Sequence, residues 1–177
     1  MSLDGYIGNG HYDWSIPAVG FTQFITEIMK QFGTYLYGRK NFETMAYWEK
    51  PDIANMAAEK RDFAEVWQAA EKIVYSKTLK SVTTRATRLE RDFDVVKIRD
   101  LKSTSAKDLC IGGPALANEA LRNKIVDEIQ LFVAPTTIGN KFPVISALPR
   151  DIVLRLDLIE ECRFSEGWVY LRYQVRT

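Results

Sequence analysis

Apolar and polar residues along this chain switch repeatedly between a helical and an extended period. Phe21, Phe24, Ile25, Ile28, Met29 and Phe32 recur at helical spacing and predict a helix over 20–32. Thr34 to Tyr37 reads as a short strand closed by Gly38, and 40–47 as a short helix. A further helix is expected over 56–69, with Met56, Phe63, Val66 and Trp67 inward. Lys72 to Tyr75 reads as a buried strand. Either Asp92 or Asp94 can cap a helix carrying Val95, Ile98 and Leu101. Leu109 to Ile111 is a strand, and the helix 114–123 follows it. The pattern then changes. Glu128 to Ala134 is a strand, and 152–161 and 168–175 alternate with period two around a Glu166-Gly167 turn, which predicts a closing antiparallel hairpin. Alternating elements followed by a hairpin make an α/β fold with a mixed sheet.

The junction Ile111-Gly112-Gly113-Pro114 carries the most chemistry. Two glycines let the backbone turn sharply and let another group approach, and proline suits the first turn of a helix. Free N–H groups and the positive end of the helix dipole would face that space, as in a phosphate cradle. An ordinary tight strand-to-helix connection has the same sequence. Two more predicted strand ends, Gly38-Arg39-Lys40-Asn41 and Ser76-Lys77-Thr78, carry cations beside amides and hydroxyls. Ligands of open α/β sheets bind at such ends. Together the three corners point to a ligand with several phosphates.

Composition narrows the function. Among 177 residues, 46% are hydrophobic and 27% charged, with a net charge of +1. One soluble domain over 1–177 is expected, with no broad basic footprint for nucleic acid. Mixed-sign runs such as Glu59-Lys60-Arg61-Asp62 and Glu90-Arg91-Asp92 read as solvated surface. No apolar run approaches the ~20 residues of a membrane span. Two cysteines, Cys110 and Cys162, and one histidine, His11, argue against a disulfide framework, a zinc site and a Ser-His-Asp hydrolase. A cytoplasmic setting fits.

Ser2-Leu3-Asp4-Gly5-Tyr6-Ile7, Asp13-Trp14, Tyr37 to Glu43, Lys72 to Leu79, Ile111-Gly112-Gly113, and Val126 to Ile129 with Pro135 and Gly139 occur in order along the chain. As an ordered set they resemble the dihydrofolate reductase-like superfamily. The resemblance is to the reductase domain at the C-terminal end of the bifunctional riboflavin-biosynthesis deaminase/reductase and its stand-alone bacterial relatives. It implies a three-layer αβα fold with a mixed, mostly parallel central sheet and NADPH as hydride donor. By position, Gly38, Arg39, Lys40 and Asn41 would meet the cofactor's phosphates, and Ser76 and Lys77 its 2′-phosphate. Gly112, Gly113, Pro114, Ala115 and Leu116 would lie along the pyrophosphate and nicotinamide. Ser2, Leu3, Asp4, Ile7, Gly8 and Trp14 would border the nicotinamide and substrate, with Asp4 as the candidate catalytic group.

The resemblance also implies a homodimer acting on a small heterocyclic or carbonyl substrate. That substrate would be riboflavin-precursor-like, as for 5-amino-6-(5-phosphoribosylamino)uracil reductase, or pterin-like. Two departures are visible. Dihydrofolate reductase carries an acidic residue early in its first long helix, whereas here no carboxylate occurs from Pro17 until Glu27. Only Met1 precedes Ser2 where the family has a central strand, so most of that strand is expected to be missing from the sheet or to lie upstream. Both departures keep open a second reading, a non-catalytic nucleotide- or metabolite-binding module.

Overall fold

A computed structural model describes residues 1–8, 20–139 and 144–176. Along the chain lie β1 (Tyr6–Gly8), α1 (Phe21–Met29), β2 (Phe32–Gly38), α2 (Arg39–Met45), α3 (Ala58–Ala69), β3 (Glu71–Tyr75), β4 (Thr87–Glu90) and α4 (Val95–Thr104). There follow β5 (Asp108–Gly112), α5 (Pro114–Arg122), β6 (Glu128–Val133), β7 (Val144–Ser146), β8 (Leu156–Arg163) and β9 (Val169–Val175). The chain divides into two compact units. One is Thr22–Leu116, and the other joins Met1–Phe21 to Ala117–Thr177.

The 22–116 unit holds a four-stranded parallel sheet in the order β4-β3-β2-β5. β2 is central and buried along most of its length, as its apolar run requires. Tyr35 and Tyr37, two residues apart on one face, stack at 5.8 Å. They join Met29, Phe42, Phe63, Trp67 and Val74 in the core. Their hydroxyls are not left bare: Tyr35 Oη donates to the Met29 carbonyl, and Tyr37 Oη accepts from Trp67 Nε1. Trp48 packs on Phe63 at 4.6 Å. Cys110 packs against this core, and burial pushes its thiol up to about 12, far from a reactive thiolate.

Helix α1 stops at Met29, short of the expected end at 32, because Phe32 is already in the ladder opposite Asp108. Met56 closes a 3₁₀ turn ahead of α3 by donating to Ile53. The choice between Asp92 and Asp94 resolves to Asp94, whose carboxylate accepts from the N–H groups of Val96 and Lys97 and caps α4. β4 was not expected. Among the described residues it is an edge strand, paired with β3 alone.

In the second unit β9 lies between β6 and β8, antiparallel to both. Phe21 packs edge-on against Phe132, Phe164 and Trp168. Glu166 and Gly167 make the expected turn at φ of 58° and 83°, and Phe164 N–H donates to Trp168 across it. β8 begins at Leu156 rather than 152, because Leu156 already faces Val175, the last residue of β9. β1 pairs with β7. Met1 donates its terminal amine to Phe132, Ala134 N–H donates to Met1, and Leu3 N–H donates to Thr136.

Candidate functional site

The ladder registers align the carboxyl ends of three strands. Gly38 at the end of β2 faces Tyr75 at the end of β3, and Tyr37 faces Gly112 at the end of β5. The three corners read from the sequence therefore emerge along one edge of one parallel sheet, where α/β sheets bind ligands. The chain reaches this arrangement because each strand ends at a residue that breaks the extended run: Gly38, Ser76 and Gly112.

The Gly112-Gly113 turn leaves a Cβ little room unless Asn41 shifts. A Cβ on Gly112 would lie 2.5 Å from Asn41 Nδ2 and 3.1 Å from the Tyr37 ring. Gly113 has φ of +93° and a Cβ there would sit 3.1 Å from Asn41 Cβ. Asn41 of α2 thus packs over both glycines, which joins two of the sequence-predicted corners directly. Pro114 then opens α5. A tight glycine turn feeding a helix start and bordered by the Asn41 amide has the form of a phosphate cradle.

The cations are held by protein partners. Arg39 pairs with Glu43 at 2.7 Å and donates to Thr78 Oγ1 at 2.9 Å, so it ties the β2 corner to the β3 corner. Ser76 is buried, and its hydroxyl oxygen accepts from the N–H groups of Thr78 and Leu79, shaping the turn. Lys77 Nζ lies 3.4 Å from Asp92. Arg91 is exposed, as expected of solvated surface, and its Nη1 also donates to the carbonyls of Ser76 and Leu79, fixing that turn from β4's end. Lys40 is exposed in the first turn of α2.

The expected substrate residues belong to the other unit. Ser2 does not present a free hydroxyl: it is fully buried, its Oγ accepts from Tyr6 N–H, and its one proton is shared between the Tyr6 carbonyl and the Asp4 carboxylate. Asp4 accepts from Gly139 N–H at 2.7 Å and Ile138 N–H at 3.2 Å. The Ser2 side chain, followed by these backbone donors, holds its carboxyl below the usual range. An ionised carboxylate with those bonds ties the first turn to 138–139 and is poorly disposed to deliver a proton. Ile7 and Gly8 lie in the β1 ladder opposite Ile145 and Val144. Trp14 lies outside the described residues. Glu27, the alternative helix carboxylate, pairs with Lys30 on the exposed side of α1.

Three residues escaped the sequence reading: Arg91, Tyr37 as the wall behind Gly112, and Lys72. Lys72 is 1% exposed. Its Nζ donates to the carbonyls of Trp67, Gln68 and Ala70 at the end of α3 and sits 4.3 Å above the Trp67 ring. A lysine within an otherwise apolar strand was the one available signal. Among the described residues, no group of acidic, cysteine or histidine side chains could hold a metal, and no helix is long and apolar enough to cross a membrane.

A family model for the RibD C-terminal domain matches residues 1–170. The uncharacterized protein YyaP of Bacillus subtilis is 30% identical over 98% of this chain and 90% of its own length. A putative riboflavin biosynthesis protein from Shewanella sp. PV-4 superposes with a TM-score of 0.70 at 18% identity, covering 99% of this chain and 95% of that one. A pyrimidine reductase-like protein from Corynebacterium diphtheriae superposes at 0.69 and 14% identity, covering 99% and 89%. Acinetobacter baumannii RibD superposes at 0.67 and 16% identity, covering 99% of this chain and 55% of that longer one. The fold is dihydrofolate reductase-like, with a parallel sheet and an antiparallel hairpin. The chain belongs to the RibD C-terminal domain family, a family of reductases.

Proposed function

We propose that this chain is an NADPH-dependent reductase of a small heterocyclic or carbonyl substrate, of the riboflavin-precursor or pterin kind. The observation that carries the reading is the common edge of Gly38, Ser76 and Gly112–Gly113, with a glycine turn where a Cβ would displace the Asn41 side chain. When bound, the nicotinamide supplies the hydride. The chain's own work is to bind and orient. Gly112 and Gly113 let a pyrophosphate approach the backbone, and the first turn of α5 at Pro114, Ala115 and Leu116 faces it. Arg39, Lys40 and Asn41 meet phosphate oxygens. The Ser76 O–H and the Lys77 ammonium receive the 2′-phosphate. Substrate contacts fall to Ile7, Gly8 and Trp14, with Asp4 holding its loop rather than donating a proton. The same reading gives a cytoplasmic homodimer.

The experiment follows NADPH oxidation by the purified protein in the presence of flavin-precursor, pterin and carbonyl acceptors. Oxidation that depends on one acceptor class is the expected result. A second reading, a binding module without turnover, is favoured by the depressed Asp4 carboxyl, which leaves that residue unsuited as an acid. Saturable NADPH binding with no acceptor-dependent oxidation would select it.

A further inference from the structure

Lys77, the cation expected at the 2′-phosphate, already has a carboxylate beside it. Its Nζ lies 3.4 Å from Asp92 Oδ1, and the two side chains are 81% and 75% exposed. Asp92 is held near this corner by its neighbours. Arg91 binds the Ser76 and Leu79 carbonyls, and Ser76 N–H donates to the Glu90 carbonyl. The end of β4 is thereby sewn to the end of β3, with Asp92 next to the Ser76-Lys77 pair.

We propose that Asp92 sets the nucleotide preference of this corner, lowering its selectivity for a 2′-phosphorylated dinucleotide over the unphosphorylated one. The inference rests on the reading above that the β3 corner receives the adenosine end. Two effects act in the same direction. A 2′-phosphate must share or displace Asp92 at Lys77 and is repelled by the carboxylate. A bare ribose 2′-hydroxyl instead finds an acceptor in that carboxylate, the chemistry by which an acidic residue favours NAD in other α/β sheets. The corner thus carries a cation for one cofactor and an anion for the other, and Asp92 narrows the gap between them.

The test titrates the wild type, Asp92→Asn and Lys77→Ala with NADPH and NADH, and with 2′,5′-ADP and 5′-AMP as fragments, read by tryptophan fluorescence or calorimetry. Asp92 is exposed, so the Asn variant keeps its fold, and an unchanged urea midpoint verifies this. Asp92→Asn is expected to tighten NADPH and 2′,5′-ADP by roughly two- to fivefold, the range an exposed pair carries. NADH and 5′-AMP should bind no more tightly than before. The gain should shrink as salt is raised. Lys77→Ala should weaken the phosphorylated ligands alone. An unchanged NADPH-to-NADH ratio in Asp92→Asn, with the wild type binding both, overturns this proposal and leaves the reductase reading standing. A folded wild type that binds neither nucleotide overturns both.

Discussion

Lys72→Met isolates an ammonium that the fold buries at the end of a helix. Methionine keeps an unbranched stem and therefore most of the packing, so the change removes mainly charge and donors. The wild-type Nζ reaches the Trp67 and Ala70 carbonyls at 2.9 Å each and the Gln68 carbonyl at 3.3 Å. Hydrogen bonds to a charged group contribute ~1.5–3 kcal/mol each, so the two short ones are worth ~3–6 kcal/mol. Burial opposes them, pulling the ammonium from 10.5 down to about 8. At 1.36 kcal/mol per pH unit, that relief returns ~3 kcal/mol to the variant. The net expectation at neutral pH is a loss of roughly 0–3 kcal/mol, so a fall in Tm of up to ~12 °C for a chain of this size.

The pH dependence has a definite sign. Between about 8 and 10.5 the unfolded chain holds a proton that the folded Lys72 has released. Wild-type stability therefore rises with pH in that window, by up to ~2 kcal/mol over a unit and a half. The Met variant lacks this rise, so the gap widens from pH 8 to 9.5. Above pH 10 the buried tyrosines, whose hydroxyls are pushed up by desolvation, act in the opposite direction. Urea unfolding by fluorescence at several pH values measures both effects. A Met variant more stable than the wild type at pH 7 would show the ammonium to be a buried liability rather than a clamp. Identical pH profiles would refute the lowered pKa.

Asp94→Ala should cost about 1 kcal/mol by uncapping α4, seen as a drop in the urea midpoint with nucleotide affinity nearly unchanged. Asp4→Asn should keep most of the NADPH-dependent turnover at neutral pH, because the residue ties backbone rather than delivering a proton. A collapse of kcat at constant stability would restore an acid role. The wild-type stability that Asp4 contributes is present above the usual carboxylate pKa and is lost as acid protonates it below that range, and the Asn variant should lack that acid-limb loss.

The parts of the fold legible in the sequence were those fixed by local pattern. β2, β3 and β5 are apolar runs ended by Gly38, Ser76 and Gly112, and the Gly-Gly-Pro junction gave away α5. β4 escaped because an edge strand needs little apolar surface; in Thr87-Arg88-Leu89-Glu90 only Leu89 packs against the core. β1 and β7, three residues each, are too short to show a period. The corners of the candidate site were readable as residue types, but their partners were not. Arg91 and Lys72 bind backbone carbonyls, and nothing in a carbonyl's own sequence marks which side chain will reach it. Asp4 was read as a turn residue near a substrate, whereas its donors lie 134 and 135 residues away.

The most direct measurement is a calorimetric titration of NADPH into the wild type and Gly112→Ala. The added methyl meets Asn41 at 2.5 Å and the Tyr37 ring at 3.1 Å, so Asn41 must move within the cradle, at ~1–3 kcal/mol of stability. The account predicts saturable one-site binding to the wild type and an affinity at least about tenfold weaker, ~1.4 kcal/mol, in a variant that still unfolds cooperatively. No binding to a folded wild type, or equal binding to both proteins, would contradict the placement of NADPH at this edge of the sheet.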